Sequence, residues 1–432
     1  MRYCADWRGV GPRVIVLVAG LLAAACGPLI RSEAVPVDLE DRPTVMGMSD
    51  IRFWADSTDI AGMVKGGEEA LRREQAYLAE FGHQGPLPPA DYLAISGGGE
   101  NGAFGAGLLV GWTAAGTRPT FKLVTGISTG ALTAPFAFLG SAYDDKLKEV
   151  YTNISAKDVL EVRGYIAAFT QDAMADNAPL RATIARHFDQ AMLDAIAAEY
   201  RKGRILLIGT TNLDARRPVI WNIGAIAESD NPKRLDLVHD ILLASAAIPG
   251  AFPPVMIDVD IDGKAYQEMH VDGGASAQVF VYPPSLDLSK SGIRRERHLY
   301  VLRNARLDPD WAQVERNTLS IVGRAVSSLI QTQGVGDLYR IYLTAERDGV
   351  DFNLAYIPRS FTTKLAEPFD TAYMKELFQV GYDMAVKGYP WEKAPPGFHG
   401  IEVVPAQSQR GPDVVAHRSP GSALQTGAGP TS

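Results

Sequence analysis

The stretch of sequence that decides the fold is residues 92–107, which read YLAISGGGENGAFGAG. It begins as a short apolar run that ends at Ser96, and its length and flanks predict a buried strand. The glycines after it allow a tight turn with exposed backbone N–H groups, and a helix predicted from Ala103 to Ala115 points its positive end at the same turn. The turn therefore suits an anion, either a phosphate or the oxyanion of an acyl-transfer intermediate.

The same glycines also fit the spacing of a dinucleotide-binding loop, since Gly97, Gly99 and Gly102 satisfy G-x-G-x-x-G. That interpretation requires an acidic residue about 20 positions further on. No Asp or Glu occurs between Glu100 and Asp144, and no Lys-Ser or Lys-Thr pair follows the loop as a nucleotide triphosphate site would need. The oxyanion interpretation is therefore favoured, and glycines that serve only helix–strand packing are the structural alternative.

A second glycine motif, GISTG at residues 126–130, follows a second predicted strand. In a G-x-S-x-G pattern the glycines relieve crowding at a sharp strand-to-helix turn, and the serine is exposed as a nucleophile. A helix predicted from Ala131 to Leu139 supplies the context that the pattern needs. Ser128 is therefore the candidate nucleophile, with Gly126 and Gly130 as the glycines of its turn.

A serine nucleophile requires a base, and none of the seven histidines has a convincing setting in the sequence. Another candidate lies in residues 270–274, HVDGG, where a predicted strand ends at Asp272 and turns at Gly273 and Gly274. A carboxylate at the end of a strand is within plausible reach of the serine turn. His270, two residues earlier, is expected on the same face of the strand and is the alternative base.

Predicted strands alternate with predicted helices along the chain, which indicates an α/β domain with a mainly parallel central sheet covered by helices on both faces. The other predicted strands are Phe121 to Ile127, Arg204 to Thr211, Pro218 to Ile223, a hairpin from Val255 to Val271 that turns at Asp262-Gly263, and His298 to Leu302. Further helices are predicted over Glu68 to Phe81, Gln313 to Ser328 and Asp370 to Val386.

The three motifs, in this order, resemble the patatin-like phospholipase family. A fourth segment, residues 244–254 (ASAAIPGAFPP), is similar to the segment that precedes the aspartate strand in that family, and the resemblance covers residues 91–303. It implies a patatin-like three-layer architecture and a lipid acyl hydrolase of the phospholipase A, lysophospholipase or esterase type. Such an enzyme uses a Ser-Asp dyad without a catalytic histidine, and its substrate is a lipid or phospholipid.

Carried onto this chain, the resemblance implies that Ser128 is the nucleophile and that Asp272 is the base. It assigns the oxyanion hole to the glycine-rich loop, at Gly97, Gly98, Gly99, Asn101 and Gly102. The family usually has Arg or Lys where this chain has Asn101, which puts a preference for phosphate headgroups in question. Acyl transfer to an acceptor other than water shares all these residues, and a non-catalytic, membrane-tethered scaffold of the same fold is a further alternative.

The N-terminus has the features of an export signal. Basic residues precede an apolar run from Val14 to Ala25, which as a helix spans about 18 Å and is too short for a bilayer core of about 30 Å. The residues up to Cys26 resemble a bacterial lipobox, in which the cysteine is lipidated. We therefore expect an exported lipoprotein of the cell envelope, anchored by its acyl chains at the periplasmic face of a membrane such as the outer membrane. Simple cleavage after Ala25, which would give a soluble periplasmic or secreted protein, and a buried N-terminal helix are the alternatives.

These features divide the chain into four predicted segments. A signal peptide covers residues 1–25, and a lipidated N-terminus, spacer and outer helix cover residues 26–90. The hydrolytic domain covers residues 91–400, with its motif-bearing core at about 91–303 and a helical C-terminal part. Residues 401–432 are rich in Ser, Gly, Pro and Thr and are predicted to be a disordered tail.

Composition excludes several other classes of function. The formal net charge of −8 argues against a nucleic-acid partner, because phosphate binding depends on clustered Lys and Arg. The two cysteines are Cys4 and Cys26, so the body of the chain can have no disulfide, no cysteine zinc site and no thiol nucleophile. No calcium-binding loop of the EF-hand type occurs, and we expect neither a metal nor a cofactor.

Overall fold

A mixed sheet of nine strands lies at the centre of the part of the chain that the structure describes. The structure is a computed structural model that describes residues 31–162, 172–309 and 311–398. The predicted signal peptide, Cys26 and the predicted tail at residues 401–432 lie outside these ranges. The strands of the sheet are β1 (Arg52–Trp54), β2 (Ala90–Ile95), β3 (Leu123–Ile127), β6 (Ile205–Asn212), β7 (Arg217–Asn222), β8 (Val255–Ile261), β9 (Lys264–Asp272), β10 (Arg297–Arg303) and β11 (Asp351–Tyr356). A separate pair consists of β4 (Glu161–Val162) and β5 (Ala175–Asp176).

Five neighbouring strands of the large sheet are parallel, in the order β6-β3-β2-β10-β11. Beyond β6 the sheet continues antiparallel through β7 and β1, and β9 also pairs antiparallel with the end of β6. β8 and β9 form a hairpin that turns at Asp262 and Gly263, as the sequence predicts. Because the carboxyl ends of parallel strands meet at one edge, residues that follow β2, β3 and β10 are brought together there.

Eleven helices occur in the described ranges, and none is long and apolar enough to cross a membrane. They are α1 (Ala61–Glu80), α2 (Gly102–Ala114), α3 (Thr129–Leu139), α4 (Asp144–Thr152), α5 (Ala156–Val159), α6 (Ala178–His187), α7 (Gln190–Arg201), α8 (Ile223–Glu228), α9 (Arg234–Ser245), α10 (Thr318–Asp348) and α11 (Thr371–Val386).

Side chains of the parallel strands alternate between two apolar layers, as expected for a sheet that is covered on both faces. Along β10, Leu302 joins the larger core cluster, which includes residues of α2, α3, α4, α6, α7, α9 and α11. Leu299 and Val301 point to the other face, where they pack with Leu338 and Ile341 of α10. The predicted α/β fold, with a mainly parallel sheet between helical layers, is thus confirmed.

Most predicted elements are present, but α10 differs from the prediction. The sequence pattern indicated a helix over 313–328, whereas α10 runs from Thr318 to Asp348. Gly334 and Gly336 interrupt the helical pattern of its second half. A Cβ atom at Gly334 would lie 2.1 Å from a guanidinium nitrogen of Arg303, so the glycine leaves room for this buried side chain. β11, which follows α10, was not predicted either.

The described residues before α1 are more than the spacer that the sequence suggested. β1 extends the sheet by pairing with β7, and Val45 and Ile51 are buried in the larger core. The side chain of Arg52, at the start of β1, is almost completely buried and forms an ion pair with Glu268 of β9. This N-terminal segment therefore packs as part of the domain, because its few apolar residues find a place at the edge of the sheet.

Candidate active site

Ser128 occupies a sharp turn between β3 and α3. Its backbone has φ 56° and ψ −126°, and the helix begins at the next residue. A residue other than glycine in such a conformation carries a strain of about 1–3 kcal/mol, which the surrounding packing must stabilise. The turn therefore has the geometry that the G-x-S-x-G motif predicts.

Both glycines of this motif are required by close backbone approach. A Cβ atom on Gly126 would lie 2.3 Å from the carbonyl oxygen of Gly130. A Cβ atom on Gly130 would lie 2.3 Å from the carbonyl oxygen of Ile95, at the end of β2. The first turn of α3 can thus pack directly against the neighbouring strand end.

Asp272 ends β9 and is placed beside Ser128. Its carboxyl group is buried, forms a side-chain hydrogen bond with Ser128, and accepts the Gly274 N–H at 2.7 Å. Burial raises the pKa of Asp272 to about 6, although the hydrogen bonds from Ser128 and Gly274 act to lower it. The carboxyl group is thus largely ionised at neutral pH, and its pKa is close enough to neutral pH for it to act as a general base.

The last residue of α9 and the segment that follows this helix hold the backbone of both residues. The Ser128 N–H donates to the Ser245 hydroxyl at 3.0 Å, and that hydroxyl donates to the carbonyl oxygen of Gly209 at 2.7 Å. Two residues later, the carbonyl oxygen of Ala247 accepts the Asp272 N–H at 2.9 Å. These contacts give a physical reason for the ASAAIPG part of the sequence, whose role the motif alone did not reveal.

The glycine-rich loop leaves two N–H groups free. The Gly97 N–H donates to the Gln278 carbonyl oxygen, and the N–H groups of Asn101 and Gly102 donate within the loop itself. Gly98 and Gly99 have φ values of 156° and 57°, and their N–H groups donate to no other described residue. Of the five positions predicted for the oxyanion hole, only these two therefore have free backbone donors. The Asn101 side chain instead accepts a hydrogen bond from the Tyr373 hydroxyl at 2.6 Å.

Asn304, just after β10, holds both ends of this loop. Its backbone N–H donates to the Ser96 hydroxyl at 2.8 Å, and its side-chain amide donates to the Ser96 carbonyl oxygen at 3.0 Å. Its side-chain oxygen accepts the Gly105 N–H at 3.1 Å. A Cβ atom on Gly98 would lie 2.3 Å from the Asn304 carbonyl oxygen, so the loop is also packed tightly against it.

Gln278 connects the loop to the turn after Asp272. Its backbone oxygen accepts the Gly97 N–H at 3.0 Å, and its side-chain amide donates to the Gly274 carbonyl oxygen at 2.8 Å. Its own N–H donates at 2.6 Å to the buried carboxylate of Asp337 in α10. The sequence motifs did not indicate the roles of Gln278, Asn304 and Ser245, because each of them bonds to a turn that lies far away along the chain.

His270 is not placed to act as the base. Its ring is completely buried and makes hydrogen bonds of 3.0 Å with the Thr210 hydroxyl and with Glu268, which is paired in turn with Arg52. Burial lowers the pKa of His270. Burial alone would raise the pKa of Glu268, but the hydrogen bonds from His270 and Arg52 outweigh it and lower the pKa of Glu268 to about 2. His270 therefore belongs to a buried polar network inside the sheet.

Ser128 opens into an apolar cavity of about 870 Å³, including its open mouth. The reactive end is lined by Gly99, Glu100, Ser128 and Thr129, and the walls come mainly from aliphatic and aromatic side chains of α3, α4, α6 and α9. Among the residues that the structure describes, no group of His, Cys, Asp and Glu could hold a metal ion.

The fold and the site together define an α/β protein with a serine on a strand-to-helix turn and an aspartate at the end of a nearby strand. Residues 93–283 match the Patatin family model, which is described as patatin-like phospholipase. The resemblance drawn from the motifs is thereby confirmed for this part of the chain. No match was found among curated proteins.

Two solved structures are similar to the chain at low identity. The crystal structure of VipD from Legionella pneumophila is 13% identical with a TM-score of 0.34, over 69% of this chain and 66% of VipD. Human GIVD cytosolic phospholipase A2 is 10% identical with a TM-score of 0.31, over 72% of this chain and 55% of that protein. The chain thus spans less than two thirds of the length of either structure.

Proposed function

We propose that this chain is a lipid acyl hydrolase that cleaves fatty-acyl esters through an acyl-serine intermediate. One observation carries the proposal: Ser128, on a strained turn, is hydrogen bonded to the buried Asp272 and opens into an apolar cavity. The turn exposes the hydroxyl oxygen, the carboxylate can accept its proton, and the cavity can hold an acyl chain. The match of residues 93–283 to the patatin-like phospholipase model supports the same class of reaction.

In the first half of the reaction the Ser128 hydroxyl oxygen attacks the ester carbonyl carbon while Asp272 takes the hydroxyl proton. The negative charge that develops on the carbonyl oxygen is stabilised by the free N–H groups of Gly98 and Gly99. Each such donor is worth roughly 3 kcal/mol of the activation barrier. Collapse of the tetrahedral intermediate breaks the ester bond, and the proton on Asp272 passes to the departing alcohol.

In the second half a water molecule attacks the acyl-serine carbonyl carbon, and Asp272 accepts the proton of that water. The second tetrahedral intermediate uses the same two N–H donors. Its collapse releases the fatty acid, and the proton returns from Asp272 to the Ser128 oxygen. A single carboxylate thus serves as base and acid in both halves, so no histidine is required.

The dyad is tested with short-chain nitrophenyl esters. We expect Ser128→Ala and Asp272→Ala each to lower kcat/KM by at least about a thousandfold, the size of effect known for the members of catalytic triads. Near-normal activity of Asp272→Ala would overturn the assignment of the base.

A fluorophosphonate probe separates an enzyme from a non-catalytic scaffold of the same fold. It should label wild type and Ser141→Ala, a control at an exposed serine just after α3, but not Ser128→Ala. Absence of labelling in the folded wild type would instead favour the scaffold. A lipid digest with wild type and Ser128→Ala side by side then identifies the products, and free fatty acid distinguishes hydrolysis from transfer to another acceptor.

We further propose, from the sequence, that the protein is exported and lipidated at Cys26 and so held at the periplasmic face of a membrane. An acidic protein gains little from anionic headgroups, so an acyl anchor is the more effective tether. Radiolabelled palmitate should be incorporated into wild type but not into Cys26→Ala, and only wild type should sediment with membranes. Equal solubility of both would favour simple cleavage after Ala25.

A further inference from the structure

The cavity beside Ser128 has no basic side chain among its described walls. None of the described residues that line it is Lys or Arg. Its titratable side chains are Glu100, Tyr151 and His187. Among the described residues, the electrostatic partners that the cavity offers to a substrate are therefore these three groups, the dyad and the backbone.

Glu100 is the charged group closest in sequence to the free N–H groups of the loop. It lines the cavity together with Gly99 and Ser128, and its carboxylate accepts its own backbone N–H. It forms no ion pair with any described residue. Burial raises the pKa of Glu100, while the hydrogen bond from its own N–H acts to lower it. Neither protonation state offers a positive charge to a ligand.

The two other titratable groups do not change this balance. The Tyr151 hydroxyl is buried, donates to the Thr129 carbonyl oxygen at 3.0 Å and shares hydrogen bonds with the Thr129 and Thr133 hydroxyls. Burial lowers the pKa of His187 and so disfavours its positively charged form; Arg186 and Lys146 act in the same direction, whereas Glu149 and Asp158 act to raise the pKa. Neither cation lines the cavity, and Lys146 is paired with Asp189 at 3.3 Å.

The residue after Glu100 in the loop does not supply a positive charge either. Asn101 follows it in the loop, and its side-chain oxygen accepts a hydrogen bond from the Tyr373 hydroxyl of α11. A phosphate close to the scissile ester would thus face the carboxylates of Glu100 and Asp272, and no cation among the described lining residues would compensate for the repulsion. In a partly buried site such repulsion is screened less than it is in water.

We infer that the ester cleaved at Ser128 has no negative charge beside the scissile bond, so that the substrate is an uncharged acyl ester of the acylglycerol class rather than an anionic phospholipid. This inference rests on the proposed function and names the substrate class for the same site. The apolar walls favour a hydrophobic acyl chain, and the negative charge at the reactive end favours an ester whose alcohol portion is uncharged.

The test compares two single-chain lipids that differ only in one phosphate, monooleoylglycerol and monooleoyl lysophosphatidate, in micelles of the same uncharged detergent. We expect kcat/KM of the full chain to be at least about tenfold higher for monooleoylglycerol. Glu100→Gln should reduce this preference several-fold, and Asn101→Arg should reduce it further by adding a cation. Glu80→Gln, at the exposed end of α1, changes the net charge equally and should leave the preference as in wild type.

The possible results separate the inference from the proposed function. Equal or faster cleavage of the phosphate-bearing lipid would overturn the inference and leave acyl hydrolysis standing. A preference that neither Glu100→Gln nor Asn101→Arg changes would overturn the role assigned to the charge at the reactive end. If wild type cleaves neither lipid nor a nitrophenyl ester, the proposed function fails, and the inference fails with it.

Discussion

The carboxyl group of Asp272 has a higher pKa in the folded chain than in the unfolded chain. Burial raises its pKa from 3.8 to about 6. The folded state therefore binds the proton of Asp272 more tightly than the unfolded state does. Below pH 4 the group is protonated in both states, and it does not lower the free energy of unfolding there. The free energy of unfolding falls as the pH rises through 6, so at neutral pH the ionised group costs the fold about 3 kcal/mol. The side chain is thus suited to catalysis and unfavourable for folding stability.

Asp272→Asn should therefore be inactive and more stable than wild type at pH 8. The amide keeps the shape of the carboxyl group but carries no charge in its buried position. Chemical denaturation should give a free energy of unfolding higher by about 2–3 kcal/mol at pH 8, and the difference should shrink towards pH 4. A variant that is less stable than wild type at pH 8 would contradict this account of the Asp272 environment.

The same pKa predicts the pH dependence of activity. Because Asp272 acts as a base, kcat/KM should fall about tenfold for each pH unit below 6 and be level above about 7. Initial rates with an uncharged ester, measured from pH 4.5 to 8, test this expectation. A profile that stays level down to pH 5 would mean that another group accepts the Ser128 proton.

At the scale of an element, the glycine-rich loop owes its shape to a residue outside it. Asn304 binds Ser96 at the start of the loop and Gly105 in the first turn of α2. Between these points Gly98 and Gly99 adopt the positive φ values that leave their N–H groups free. Asn304 does not line the cavity, so it is a positioning residue that acts through the loop.

Replacement of Asn304 should lower kcat with little change in KM. Asn304→Ala removes both side-chain contacts, which would misplace the N–H donors needed in the transition state, and we expect kcat to fall about a hundredfold. Asn304→Asp is the matched control, since it keeps the oxygen that accepts the Gly105 N–H and loses the donor to Ser96. Its kcat should lie between those of wild type and Asn304→Ala.

Equal kcat in wild type and Asn304→Ala would show that the loop holds its shape without the side chain. A rise in KM alone would instead assign Asn304 to binding of the substrate. Melting temperatures of both variants separate these results from a general loss of stability.

At the scale of the whole molecule, the sequence was informative where the structure is built from contiguous residues. The turn at Ser128 and the turn at Asp272 each consist of a strand end followed by glycines, so local patterns predict them. Hydrophobic runs likewise predicted β2, β3, β6 and β10, and their alternation with helices predicted the parallel sheet. Their order in the chain then indicated that both turns belong to one site.

Local sequence patterns could not predict contacts between segments that lie far apart along the chain. Ser245 lies 117 residues from the Ser128 N–H that it binds, and Asn304 lies 199 residues from Gly105. No spacing rule links such pairs, because the topology of the sheet brings them together. The same holds for the occupied N–H group of Gly97, whose partner Gln278 comes from beyond β9, and for the lining of the cavity by several helices.

α10 combines two very different environments within one continuous helix. Leu338, Ile341 and Ala345 are buried against the sheet, whereas Ile321 and Leu329, nearer its start, are 53% and 69% exposed. Gln331, which donates to the Arg306 carbonyl oxygen just after β10, marks the boundary between the two parts. The thirteen residues from Thr318 to Ile330 span about 20 Å of helix with little packing to hold them.

Amide hydrogen exchange along α10 should therefore report two opening free energies rather than one. A helical segment of this length is marginal on its own, so the amides of its first part should exchange rapidly through local fraying. The amides from about Leu338 onwards can exchange only when the packing against β10 and β11 opens, and they should be protected almost as strongly as the central strands. The helix thus divides into a segment that unfolds alone and a segment that unfolds with the sheet.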